Sequence, residues 1–254
     1  MQGCDSFRQA KWFTRGRPAV PRLWVVHDEE YPERPDSAEQ VQAFFANGSG
    51  GRKASAHACV DNNSVAGCVE WSDQAYHAGH GPTNRVSIGV EHSGYAHQTR
   101  AEWLDPYGIA MLDRSARLYA EVGWGKYRIP PRRVTGAALR AAVAGAGPGG
   151  ICGHGDITAA FSISGGHTDP GPQFPWDHYL TLCLDYSNGS HPTTPHPEDD
   201  DVPYSSWPQK DKDALIADIR KALLYPLTGS QPAHPERDEE WMNMSKLANQ
   251  IASK

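Results

Sequence analysis

Short β-type runs alternate with segments of helical period along much of this chain, and that alternation constrains its fold more than any other feature of the sequence. The first run, Leu23-Trp-Val-Val-His27, closes on a histidine and gives way to an acidic, Pro-containing stretch, DEEYPERPDS, which places His27 at a strand end. From Ser37, SAEQVQAFFAN reads as a helix capped by Ser37, with Gln40 at the capping-box position and Val41, Phe44 and Phe45 on one apolar face; Asn47-Gly48 stops it. Two further β-type runs, AHACV and VAGCVEW, flank the turn residues Asp61-Asn62-Asn63-Ser64 and read as a hairpin. A fourth strand, Val86 to Glu91, follows the Gly- and Pro-containing AGHGPTNR. A long helix is expected from about Pro106 to Glu121, with Ile109, Leu112, Ala116 and Tyr119 on one side. Strands and helices in this order predict an α/β domain with helices packed on a central sheet.

The composition changes after Tyr186. SNGSHPTTPHPEDDDVPYSS is poor in apolar residues and rich in Pro, Ser and Asp, as expected of a linker. Beyond it, Leu215, Ile216, Ile219, Leu223 and Leu224 form one helical stripe, and Trp241, Met244, Leu247, Ala248 and Ile251 repeat at similar spacing. The expected division is therefore a domain over 1–186, a linker over 187–206 and a small α-helical C-terminal appendage over 207–254. Its stripes are expected to be buried, by packing on the first domain or by self-association.

With a formal net charge of −6 and a pI near 6.0, the chain lacks the basic balance of a nucleic-acid binder. No apolar stretch is long enough to span a bilayer, so no membrane insertion is expected. The opening MQGCDSFRQAKWFTRGR has no apolar block of a secretory signal, which predicts a protein made and kept in the cytoplasm. The five cysteines form no CxxC pair, which excludes a Cys-rich zinc finger. Cys59 and Cys68 flank the hairpin turn and are placed to face each other, with reduced thiols expected in a cytosolic setting.

Of the twelve histidines, His97, His178, His191, His196 and His234 stand alone and read as surface or core residues. The informative ones lie beside Gly and Asp. Gly153-His154-Gly-Asp156 is followed by Gly166-His167-Thr-Asp169-Pro170-Gly171-Pro172, where the Pro-Gly-Pro turn can hold a carboxylate without loose backbone. With His27 they supply two imidazoles and one carboxylate, a set that suits Zn²⁺ with a fourth position open to water. Spacing alone leaves unrelated surface turns as an equal reading.

The succession VVH, SAHACVD, AYHAG, SIGVEHSG, GHGDI and TDPGPQFPW resembles the type-2 N-acetylmuramoyl-L-alanine amidase family, related to peptidoglycan recognition proteins and phage amidase lysins. The resemblance runs from roughly Arg22 to Leu184 and rests on six motifs in the family's order. It implies a central mixed β-sheet flanked by helices, peptidoglycan as substrate, and His27, His154 and Asp169 as zinc ligands. It also implies Glu91 as general base or water-orienting group, a role open to a carboxylate near a metal-bound water. His167 stands where many members carry a lysine that stabilises the oxyanion, and a histidine can donate a hydrogen bond there. The stretch ITAAFSISGG between His154 and Asp169 is longer than the compact turn expected and must fold back for the ligands to meet. His77 falls where the family lines its substrate groove, with a turn residue bonded to backbone as the equal alternative. His57 and Trp71 read as packing residues, and His92 is set aside because strand alternation turns it away from Glu91.

The expected activity is hydrolysis of the amide between N-acetylmuramic acid and L-alanine, in a phage endolysin released through membrane holes or a virion-associated hydrolase. The rivals are a non-catalytic peptidoglycan-binding module, which usually lacks a ligand, and a zinc peptidase cutting within the stem peptide. Wall attachment is a further reading of the C-terminal helices.

Overall fold

The computed structural model describes residues 1–190, so the expected linker from residue 191 on and the expected helical segment 207–254 lie outside the described residues. In chain order the elements are β1 (Ser6–Phe7), β2 (Phe13–Thr14), β3 (Leu23–Asp28), α1 (Ser37–Ala46), β4 (Ala58–Val60), β5 (Val65–Gly67), β6 (Gln74–Ala75), α2 (Gly81–Arg85), β7 (Ser87–His92), α3 (Arg100–Trp103), α4 (Pro106–Leu118), α5 (Gly136–Val143), β8 (Gly150–Gly153), α6 (His154–Phe161) and α7 (Trp176–Ser187). Six strands form one sheet in the order β1-β5-β4-β7-β3-β8, and β2 pairs separately with β6. Only β4 and β5 run antiparallel in the larger sheet; its other neighbours are parallel. This is the mixed sheet flanked by helices that the sequence predicts.

β3 lies between two parallel neighbours and is buried along its whole length, which explains why it reads as a continuous apolar run. Leu23 and Val25 point to one face, where they pack with Leu139 of α5 and Ile157 of α6. Trp24 and Val26 point to the other and join Leu112 of α4 and Tyr179 of α7. The β4–β5 hairpin is set by Asp61, whose Oδ1 accepts the backbone N–H of Asn63 at 2.9 Å and of Ser64 at 2.7 Å. The Cys59 and Cys68 sulfurs approach to 3.7 Å as free thiols.

Two helices differ from the sequence reading. The N-cap of α1 is Asp36, because the Ser37 hydroxyl is buried and donates instead to the Arg34 carbonyl at 2.7 Å. Phe44 is 48% exposed, and Gln42 takes its place on the buried face by donating to the Gly67 carbonyl at 2.9 Å. α4 is regular only to Leu118 and continues as a wider π-type turn over Tyr119–Lys126. Its Ile109 faces outward, while Met111, Leu112, Ala116 and Tyr119 enter the core. Among the described residues, no helix is long and apolar enough to cross a membrane.

Candidate metal centre

Adjacent parallel strands bring two histidines to the same end of the sheet. Val26 of β3 stands opposite Gly153 of β8, so the next residues, His27 and His154, emerge side by side. His154 is the first residue of α6, a start fixed by Asp156: its Oδ2 accepts the Gly153 N–H at 2.6 Å and pairs with the Arg133 guanidinium. That guanidinium lies over the Trp176 ring, 3.5 Å from its centroid. The first half of the stretch expected as a loop after His154, Ile157 to Phe161, is helix, with Ile157 anchoring it on the sheet, and Ser162 to Gly166 forms the loop that folds back. The chain then returns past α6, where the Gly155 N–H donates to the Asp169 carbonyl at 2.8 Å. Gly171 closes the turn at φ 89°, and a side chain there would run into the Ala96 carbonyl.

His27, His154 and Asp169 are buried, and each offers a ligand atom within 4.8 Å of the others. Nδ1 of His27 is 2.9 Å from Oδ2 of Asp169, and Nδ1 of His154 is 3.2 Å from Oδ1. Ligands about 2.0–2.2 Å from a tetrahedral zinc ion stand about 3.3–3.6 Å apart; the two imidazole–carboxylate distances are already near that, and the remaining separation, within 4.8 Å, closes on sharing one ion. Oδ1 of Asp169 is buried without a well-directed hydrogen bond. A buried carboxylate oxygen facing two imidazoles with no proton aimed at it is what a cation would satisfy. Burial alone would raise the Asp169 pKa, but His154, His167 and His27 outweigh it and hold the group ionised well below the ordinary range. Burial lowers the His27 pKa against the pull of Asp169, which favours the neutral imidazole a metal requires.

The other expected site residues fall at different depths. Glu91 of β7 stands in register with His27, so both side chains project from the same face of the sheet. Burial, then the neighbouring carboxylates of Asp169, Glu29 and Asp28, push its pKa well up. The His167 side chain is 68% exposed at the rim, with its ring stacked on His154 at 4.3 Å between centroids and Nδ1 3.5 Å from Asp169 Oδ1. The neighbouring Asp169 carboxylate raises the His167 pKa. His77, expected either to line a groove or to be a turn residue bonded to backbone, is buried and bonded to side chains, with Nδ1 2.9 Å from His27 Nε2 and Nε2 3.0 Å from Ser87 Oγ. Both ring nitrogens are thus engaged inside the protein. His57 is buried and stacked on Trp71, and His92 points to the opposite face, toward Ser115 of α4.

Sequence reasoning left several contributors unassigned. Asp28 reads as the start of an acidic loop but ends β3, buried, with its pKa raised to about 8 by burial and then by Asp169. Asp156 sits three residues after Gly153, the spacing of an N-terminal helix cap, which was the available signal. Arg133 carries no local signal, since its partners Asp156 and Trp176 are distant in the chain, and Ser87, which bonds Thr83 four residues back and His77 ten back, was not read as part of the site.

Residues 16–172 match the sequence profile of a family described as N-acetylmuramoyl-L-alanine amidase. Among solved structures, the chain is similar to the hydrolase AmiA of Staphylococcus aureus, with 17% identity, 73% of this chain and 85% of that chain covered, and a TM-score of 0.53. A selenomethionine derivative of AmpD aligns at 20% identity over 72% of this chain and 95% of that one, with a TM-score of 0.49. A mutant endolysin from Bacillus subtilis aligns at 14% identity over 71% and 99%, with a TM-score of 0.45. A search of curated proteins gives no significant match. The likeness to AmiA is one of fold.

Proposed function

The chain belongs to the family of N-acetylmuramoyl-L-alanine amidases, and from that premise we propose that it hydrolyses the amide bond between N-acetylmuramic acid and L-alanine of peptidoglycan, using a zinc ion held by His27, His154 and Asp169. The observation that carries this reading is the convergence of two imidazoles and one carboxylate on a common point, with Asp169 Oδ1 left unsatisfied there. When bound in such a set, zinc supplies a Lewis acid that polarises a carbonyl and brings the pKa of water toward about 7.

The protein's own groups do the rest. Glu91, on the same face as His27, takes the proton of the attacking water and returns it to the alanine nitrogen as the C–N bond breaks. His167, exposed at the rim beside Asp169, donates a hydrogen bond to the carbonyl oxygen as negative charge grows on it. His77 has both ring nitrogens engaged by His27 and Ser87, so in this reading it serves His27 and is given no substrate contact. The catalytic unit is taken as residues 1–186, with lysis of a phage host as the narrower setting suggested by the resemblance to phage lysins.

Digestion of purified cell wall, followed by mass spectrometry, tests the reading. Release of stem peptides with a free N-terminal L-alanine is expected, together with loss of activity on chelation and its return with Zn²⁺. Glu91→Gln should abolish hydrolysis while leaving one zinc per chain. Internal fragments of the stem peptide would make the protein a peptidase, and wall binding without release would make it a binding module. Failure to lyse bacteria from within, in an otherwise active protein, would remove the endolysin setting alone.

A further inference from the structure

Behind His27, on the side away from Asp169, three residues form a hydrogen-bonded chain whose direction can be read from its far end. The Ser87 hydroxyl donates its one proton to the Thr83 carbonyl at 2.8 Å, because a carbonyl can only accept. Toward His77 Nε2, 3.0 Å away, the Ser87 oxygen must therefore accept, so the proton lies on His77 Nε2. In a neutral imidazole that leaves His77 Nδ1 bare, and the bond it makes at 2.9 Å to His27 Nε2 must be donated by His27. With Nε2 protonated, the lone pair of neutral His27 is on Nδ1, the atom that faces Asp169.

The His77 ring is seated for this. Asn84 Oδ1 accepts the backbone N–H of both His77 and Ala78, at 3.3 and 2.9 Å, and fixes the loop that carries the ring. Opposite it, β7 has Gly89, where any side chain would overlap the ring. All these groups are buried, so water does not compete for the bonds.

We propose that His77, held by Ser87 and the Thr83 carbonyl, is a positioning residue that accepts the Nε2 proton of His27 and so presents His27 Nδ1 as a metal ligand. The proposal rests on the reading of His27, His154 and Asp169 as a metal set. A metal-ligating histidine whose other nitrogen loses its acceptor typically binds about 10–100-fold more weakly.

The test uses the full chain, stripped of metal and titrated with Zn²⁺ against a chromophoric chelator. Wild type should bind one ion. His77→Leu, which removes the acceptor, should weaken binding about 10–100-fold, and His77→Gln, whose side-chain oxygen can still accept, should restore most of it. Ser87→Ala tests the chain without touching His27 and should weaken binding in the same direction by a smaller factor. In the ¹⁵N-labelled zinc protein, a scalar coupling across the hydrogen bond should link His27 Nε2–H to His77 Nδ1. If folded His77→Leu and Ser87→Ala bind zinc like wild type, or the proton resides on His77 Nδ1, the proposal is wrong while the metal site stands. If wild type binds no ion, the metal reading fails and takes the proposal with it.

Discussion

Replacing Asp156 by alanine asks how firmly the start of α6, and with it His154, is held. Two interactions disappear. The first is the cap at 2.6 Å on the Gly153 N–H, the kind of contact whose loss costs about 1 kcal/mol, within a range of about 0.5–2. The second is the ion pair with Arg133, whose side chains are 25% and 19% exposed for Arg133 and Asp156 respectively. That places it between a surface pair, worth about 0–1 kcal/mol, and a buried pair, whose breaking costs about 3–5. Because Arg133 keeps its stacking on Trp176 and some contact with water, the lower part of that interval applies, about 1 kcal/mol. The sum is about 2 kcal/mol, which for a domain of this size lowers Tm by about 4–8 °C. Urea unfolding of the metal-free protein at pH 7 measures it, and Asp156→Asn, which keeps an acceptor for Gly153, should lose about half as much. Alanine within about 0.5 kcal/mol of wild type, the scatter of an uninvolved surface change, would refute the argument. Asparagine as costly as alanine would show that the charge, and not the cap, carries the effect.

Two further outcomes follow from buried polar groups. Burial, and then the Arg17 charge, hold the His57 pKa well below its ordinary 6.5, so as pH falls below 6.5 the unfolded chain binds a proton that the folded chain refuses. Stability from His57 is therefore complete above about pH 6.5 and declines below it, by about 1 kcal/mol at pH 5.5; a His57 ring that titrates near 6.5 by NMR would contradict this. Tyr179→Phe removes the hydroxyl that accepts from Trp24 Nε1 at 3.1 Å and bonds Ser115 Oγ at 2.9 Å, which should cost about 1–3 kcal/mol in urea unfolding, whereas an unchanged midpoint would mean those groups find other partners.

The sequence carried the strand-borne part of the site because strand signals are local. His27 closes a visible apolar run, and alternation alone separates Glu91 from His92, which the structure turns toward Ser115. The hairpin was legible for the same reason: Asp61 makes its turn with residues two and three positions on. Where a side chain's partner lies far along the chain, the local pattern misleads. Phe44 fits the apolar period of α1 better than Gln42, yet Gln42 is buried because a carbonyl of β5 and the Ser6 hydroxyl wait for it. His77 reads as a loop histidine because neither His27, fifty residues back, nor Ser87, ten ahead, announces the bond. In the stretch after His154 the Gly- and Ser-containing part, Ser162 to Gly166, is loop as its composition indicates, while Ile157 and the Asp156 cap carry the part before it, to Phe161, as helix.

His27 stands at the meeting point of bonds from both faces of the sheet. On the face of α4 and α7, Trp24 Nε1 can only donate, to the Tyr179 hydroxyl; at the other end His92 Nδ1 must donate to the His27 carbonyl at 3.0 Å. With His92 neutral, its pKa lowered to about 4 by burial, Nε2 is bare and takes the Ser115 proton at 2.7 Å, so Ser115 in turn accepts from Tyr179. Every proton in that series points toward His27's backbone, as every proton behind its ring points away from it through His77. On the proposed reading of His27 as a metal ligand, a side chain fixed at both backbone and ring has little freedom left to lose when a cation binds, which is what a tightly positioned site requires.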